Sequence, residues 1–267
     1  MISHGCFGDF MEELKDLHIH LEQGPYTVEW IEEFIKTAEA RNISEITLLE
    51  HSIRFQEFHK TFKEAREYNL YQRKWFDEKA KRAHSIDAFK AVAEEIRSRE
   101  YPVKINFGIE VCWFEQHEDE IRELLSDGFF DHLIGSVHWI DNWTFNQRKY
   151  QWLGKNVDDI YKRYFAMENT LMRSGIFDTI AHPDLVTCHS LYPSCDLTDT
   201  YREFCKTAKE NTVAVEMNTA RGNKMGLGEA FFKIALQEGV TFSTGSDAHN
   251  PEDVGKRIAE VTRRIDA

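Results

Sequence analysis

Short apolar runs alternate along the chain with longer stretches in which apolar residues recur at helical spacing. Seven runs read as strands, at residues 14–20, 45–50, 103–111, 131–138, 178–182, 213–218 and 241–246. Several are rich in Val, Ile, Phe and Thr, which suit a pleated, half-buried surface. Between them the period changes. In residues 27–41, Val28, Ile31, Ile35 and Ala38 fall on one helical face, and Phe34 widens it. Thr27 is placed to cap the first turn and Asn42 to end the helix. Residues 155–173 and 198–209 share this period, and Asn250-Pro251 predicts the start of a last helix. Strands separated by helices pair in parallel through crossovers, so the pattern predicts an α/β layer fold.

No repeat, low-complexity tract or Pro/Gly-rich linker interrupts the pattern, which predicts one domain over residues 1–267. One connection is too long for a simple crossover. Residues 53–99, dense in Lys, Arg, Glu and aromatics, read as a helical insertion between the second and third strands, placed to serve as a lid.

With 267 residues, 42% of them hydrophobic, the chain can build a full core without disulfides or a structural metal. Its five cysteines, Cys6, Cys112, Cys188, Cys195 and Cys205, match no zinc-knuckle or CxxC spacing and read as free thiols of a reducing cytoplasm. No run reaches the roughly 20 apolar residues of a membrane span. The N-terminal residues lack the basic start and apolar stretch of a secretory signal. The expectation is a cytoplasmic protein without a membrane partner. Thirty-three basic against 46 acidic residues leave a net charge of −13. Such a surface repels long nucleic acid and anionic membrane, while a local cationic site still suits a small anion.

The placement of polar residues is more informative. The first strand closes on Asp16-Leu17-His18-Ile19-His20, where alternation puts Asp16, His18 and His20 on one face. The second closes on Glu50-His51 and the third carries Glu110. His138, His182 and the pair Asp247 and His249 follow the fourth, fifth and seventh. The sixth ends near Glu216, Asn218 and Arg221. In parallel α/β folds these strand ends meet at one mouth. The convergent set is His18, His20, His51, Glu110, His138, His182, Asp247 and His249. Imidazoles and carboxylates without thiolate suit Zn, Fe or Mn, and eight donors exceed the needs of one ion, so two or three are expected.

A lone HxH on a strand, or a lone His closing one, is more often a hydrogen-bonded core histidine. The joint placement carries the argument, because histidines scattered at random would not favour one end of successive strands. His4, His59, His84, His117 and His132 lie elsewhere and read as surface or structural; His189 is ambiguous. Asp16 and Glu50 are expected to orient imidazoles. Asp184 is placed either to hold His182 or to cap the next loop.

As a set these motifs resemble the polymerase and histidinol phosphatase (PHP) family of metal-dependent phosphoesterases. The residues concerned are DLHIH at 16–20, LLEH at 48–51, GIEV at 108–111, GSVH at 135–138, AHPD at 181–184 and GSDAH at 245–249. They come in the family's order and span nearly the whole chain. The resemblance implies a distorted seven-stranded β/α barrel with a trinuclear centre. It implies His18, His20, Glu110 and Asp247 around one ion, Glu110, His138 and His182 around a second, and His51 and His249 at a third. Two positions depart from the family. The further His or Asp that finishes the third site is missing after HxH, and Glu22 is taken as its substitute. The Arg that some histidinol phosphatases place after HxD is missing too, where this chain has Leu185-Val-Thr-Cys188-His189.

The expected activity is a phosphomonoesterase using metal-activated hydroxide on a small phosphorylated substrate, histidinol phosphate leading. Arg221 or Arg54 is expected to fork onto phosphate oxygens, and Asp247 or His249 to manage the leaving-group proton. Two other readings stand: a phosphoesterase for nucleotides or nucleic-acid ends, and a metal-binding module without catalysis.

Overall fold

Residues 13–220 and 226–267 are described by the structure, a computed structural model. Arg221, His4 and Cys6 lie outside the described residues. Among the described residues there are nine strands: β1 (Leu14–His20), β2 (Ile43–Leu49), β3 (Lys104–Cys112), β4 (His132–Ser136), β5 (Trp139–Ile140), β6 (Trp143–Thr144), β7 (Thr179–Ile180), β8 (Ala214–Asn218) and β9 (Phe242–Gly245). Seven form one sheet in the order β1-β2-β3-β4-β7-β8-β9, with every pair parallel. The two edges approach each other. His20 N donates to Ala248 O at 2.7 Å, and Thr244 Oγ1 donates to Lys15 O at 2.6 Å. The sheet is thus a nearly closed, seven-stranded parallel barrel with helices outside.

Alternation explains what each face does. Ile109 and Val111 on β3, like Ile46 and Leu48 on β2, belong to the main core shared with the helices. Glu110, between the first pair, faces the other way with Leu49 and Ile134, which form a small separate apolar cluster with Ala181. Helix Val28–Ala40 supplies Ile31, Phe34, Ile35 and Ala38 to the core, and Thr27 Oγ1 caps it by accepting from Trp30 N at 3.3 Å.

The long connection is helical: turns at Ser52–Arg54 and Gln56–Phe62 precede helices Lys63–Glu67, Leu70–Ala80 and Ile86–Arg97. The last of these is the crossover into β3, burying Phe89, Val92, Ala93 and Ile96. The short hairpin β5–β6 was not expected; it interrupts the run beyond His138. The last helix starts later than predicted. Asn250-Pro251 opens only a short turn, Pro251–Asp253, and the helix is Ile258–Asp266. Gly255 and Arg257, with φ of 71° and 62°, separate the two, since left-handed residues cannot continue a right-handed helix. Among the described residues no helix is long and apolar enough to cross a membrane. Among the described residues Cys112, Cys195 and Cys205 are free thiols.

Candidate metal centre

The barrel brings all eight convergent residues to the C-terminal ends of its strands. Period-two alternation turns His18 and His20 inward together, and their Nε2 atoms lie 2.9 Å apart. Beyond β2, His51 pairs its backbone with Glu110, and its ring stacks on His20 at 3.9 Å between centroids. His182 and Asp247 follow β7 and β9 with φ of 31° and 52°, a conformation that costs non-glycine residues energy and commonly marks functional turns.

Glu110 is the hub. Its carboxylate is almost completely buried, and five imidazoles face it: His51 Nδ1 at 2.5 Å, His182 Nε2 at 3.1 Å, His20 at 3.5 Å, and His18 and His138 at 3.7 Å. Three groups have donor atoms all within 4.8 Å of one another: His18, His20 and Asp247; Glu110, His138 and His182; and His20, His51 and His249.

The chemistry of this donor set fits divalent metal. His20 Nδ1, His182 Nδ1 and Glu22 Oε2 are buried without a hydrogen-bond partner, and around Glu110 Oε2 three imidazoles crowd together, an arrangement that shared cations would relieve. Burial holds His20 well below the usual imidazole range, reinforced by the charge of His51, and pushes His138 down to about 3 despite Glu110. Burial works against ionising Glu110, but His51 and His138 outweigh it and hold the carboxyl well below its usual range. Asp247 is likewise held low by His18 and His20 against burial. His18 and His51 are shifted the other way, His51 up to about 9, because Glu216 beside the first and Glu110 beside the second outweigh burial. Since neutral imidazoles and ionised carboxylates are the forms that bind metal, binding here would release protons.

Glu22 reaches the rim of the third group. Its Oε1 lies 3.7 Å from His249 Nε2, while Oε2 faces Arg54 Nε at 3.8 Å and Lys79 Nζ at 4.0 Å. Arg54 is buried, and its Nη2 also donates to Glu22 O at 3.2 Å. A cavity of about 220 Å³ opens over the centre, lined by His138, His182, Asp184, Asn218 and His249 among others. A neighbouring recess joins His51 and His138 to Ile53, Trp75 and Lys79 of the insertion.

Two supporting roles differ from expectation. Asp16 does not orient an imidazole. Its oxygens accept from Ser246 N at 2.8 Å and Gly255 N at 2.7 Å, tying the segment that carries Asp247 and His249 to β1. Glu50 faces the Tyr26 hydroxyl instead of an imidazole, and burial, with Glu22 nearby, pushes its carboxyl up to about 8. The residue that does orient an imidazole is Glu216, which the sequence marks only as part of a strand end. Its Oε1 lies 2.7 Å from His18 Nδ1. Its place on the face it shares with Asn218 was the available signal.

The other described histidines stand outside the cluster. His59 Nε2 lies 3.1 Å from Ile53 O, His117 Nε2 2.7 Å from Glu64, and His132 Nε2 3.0 Å from Thr179 Oγ1. His84 packs on Tyr26, and His189 on Trp152.

Comparison with known proteins agrees with this geometry. A family model described as PHP domain matches residues 16–220. A Deinococcus radiodurans protein named probable histidinol-phosphatase is 28% identical over 188 residues, covering 67% of this chain and 70% of its own. The crystal structure of the hisK protein of Listeria monocytogenes superposes with a TM-score of 0.66 at 19% identity, over 92% of this chain and 99% of that one. That of histidinol phosphate phosphatase from Lactococcus lactis, complexed with zinc, L-histidinol and phosphate, gives 0.63 at 18%, over 95% and 92%.

Proposed function

The chain belongs to the PHP domain family, and from that premise we propose that it is a metal-dependent phosphomonoesterase whose leading substrate is histidinol phosphate. The observation that carries the reading is the convergence of three donor groups around the buried carboxylate of Glu110. The similarity to the Deinococcus radiodurans protein supports the choice of substrate.

In this proposal His18, His20, Glu110 and Asp247 hold one ion, Glu110, His138 and His182 a second, and His51, His249 and Glu22 a third. The ions are Zn, Mn or Fe. Bound there, they would supply hydroxide at neutral pH and neutralise phosphate oxygens.

The chain's own groups do the rest. His249 Nδ1 lies 2.8 Å from Asp247 O, so Nδ1 carries the hydrogen and Nε2 is free to coordinate. Asp247 faces His18 and His20 through Oδ1, which leaves its Oδ2 to handle the proton of the leaving oxygen. Arg54 and Lys79, beside Glu22, supply positive charge for the phosphate, a role proposed for Arg221 as well. The recess shared by His51, His138, Trp75 and Lys79 supports a lid role for the insertion, which would exclude water from the bound ester.

The test is turnover by the Zn-, Mn- or Fe-loaded protein on a panel of phosphate monoesters including histidinol phosphate. Hydrolysis with histidinol phosphate preferred supports the proposal. Full metal occupancy with no ester hydrolysed overturns it in favour of a metal-binding module.

A further inference from the structure

The insertion builds a second cavity, of about 460 Å³. Five cations line it, Arg54, Lys74, Lys79, Arg82 and Arg148, against two carboxylates, Glu22 and Glu78. This local excess of positive charge belongs to a chain of net charge −13. Both carboxylates are already engaged: Glu78 with Lys81 at 2.5 Å, and Glu22 with Arg54, Lys79 and His249. Lys74, Arg82 and Arg148 make no ion pair or side-chain hydrogen bond with any described residue. Elsewhere cations are commonly matched, as Lys36 is with Glu33, Arg97 with Asp131 and Arg163 with Asp141. The wall also includes a buried polar group: Arg54 is 4% exposed, and its Nε has no hydrogen-bond partner.

The cavity adjoins the recess beside the metal centre. Trp75 and Lys79 border both it and the recess lined by His51 and His138. An ester whose phosphate sits over the centre can therefore extend past Trp75 and Tyr71 toward three uncompensated cations. Holding like charges around one cavity costs energy, and an anion placed among them recovers it.

We propose that this cavity is an anion subsite for the leaving-group end of the substrate, so that the enzyme also hydrolyses phosphate esters whose alcohol carries a second anionic group. The inference rests on the phosphomonoesterase reading and goes beyond histidinol phosphate, an amino alcohol ester whose far end is cationic. The reaction itself is unchanged. Water oxygen forms the new P–O bond, the ester P–O bond breaks, and the leaving alkoxide takes a proton.

The experiment compares propane-1,3-diyl bisphosphate with propyl phosphate on the metal-loaded enzyme, wild type and the triple variant Lys74→Ala, Arg82→Ala, Arg148→Ala. All three positions are exposed, so truncation spares the fold. Wild type should favour the bisphosphate by about tenfold or more in kcat/KM, as charge complementarity allows. The triple variant should lose that preference and keep its rate on propyl phosphate. Removing Lys36, Lys206 and Lys233, exposed cations outside the cavity, controls for net charge and should preserve the preference. A second measurement titrates chelator-treated protein with the bisphosphate by calorimetry; wild type should bind and the triple variant should bind at least several-fold more weakly. Equal kcat/KM for the two esters, or a preference that survives in the triple variant, overturns the subsite. If no phosphate monoester is turned over, histidinol phosphate included, the phosphomonoesterase reading fails. Calorimetry then decides the subsite alone, and equal binding by wild type and triple variant overturns it.

Discussion

Glu216 Oε1 lies 2.7 Å from Nδ1 of His18, beneath the histidine cluster. Its other oxygen accepts from the backbone N–H of His182 at 2.7 Å. One carboxylate thus sets the ring of one proposed ligand and the backbone of another. The bond to Nδ1 turns His18 Nε2 toward Glu110 and Asp247, at 3.7 and 3.8 Å.

Glu216→Gln should therefore disturb both proposed sites. An amide presents a weaker acceptor to His18 Nδ1 and no charge to hold its tautomer. Metal affinity or kcat/KM should fall by about 10–100-fold, as for other partners that orient metal ligands. Metal analysis and turnover check this, with circular dichroism to confirm the fold. Wild-type metal content and rate would show that His18 needs no such support.

Gly245 allows that contact. A Cβ there would meet Glu216 Oε1 at 2.1 Å and His18 Cβ at 2.6 Å. Gly245→Ala should cost about 1–3 kcal/mol by overpacking and should lower metal content as well. Gly239→Ala is the contrast. Gly239 ends helix Glu229–Glu238 at φ 66° with open space around its Cα. Its replacement should cost about 1–2 kcal/mol of backbone strain and leave metal binding unchanged. Thermal melts and metal analysis of both variants separate the effects; equal metal loss in the two would remove the special role of Gly245.

Much of this site was legible in the sequence because strand alternation is rigid. Once His18 and His20 fall two apart on a strand, their shared face follows, and parallel pairing carries Glu110 to the same mouth. What was not legible depended on partners distant in sequence. Asp16 shares the face of His18, yet it bonds to Ser246 and Gly255, which only barrel closure brings near. Glu216 is 198 positions from His18, and nothing local marks it as the partner. The late start of the last helix turned on left-handed residues, among them the non-glycine Arg257, for which the sequence carried no signal.

Glu110→Gln tests the proposed bridge. An amide keeps the volume but loses one anionic oxygen, so it is a poor partner for two cations. Metal stoichiometry should drop below that of wild type, and kcat/KM on any active monoester should fall at least about 100-fold, as when a positioned catalytic group is lost. Near-normal stoichiometry and turnover would rule out bridging by Glu110.

The last prediction concerns a carboxyl outside the centre. Glu168, on helix Val157–Arg173, is fully buried, with the Tyr164 hydroxyl as its polar neighbour. Burial, with Asp184 adding repulsion, raises its pKa well above the usual carboxylate range, against a smaller opposing effect of Tyr164. The folded state therefore keeps a proton that the unfolded chain releases above about pH 4.3. Where the folded state binds more protons, stability falls as pH rises. This contribution is complete below pH 4 and declines until the folded carboxyl itself ionises. Glu168→Gln is neutral at every pH and nearly isosteric, so it removes the dependence. Melting in chelator should show little difference between variant and wild type near pH 4. The variant should gain steadily toward pH 8, with Tm rising about 2–4 °C for each kcal/mol recovered. Melting curves that stay parallel across this range would mean that Glu168 is charged in the folded protein and is compensated by a partner.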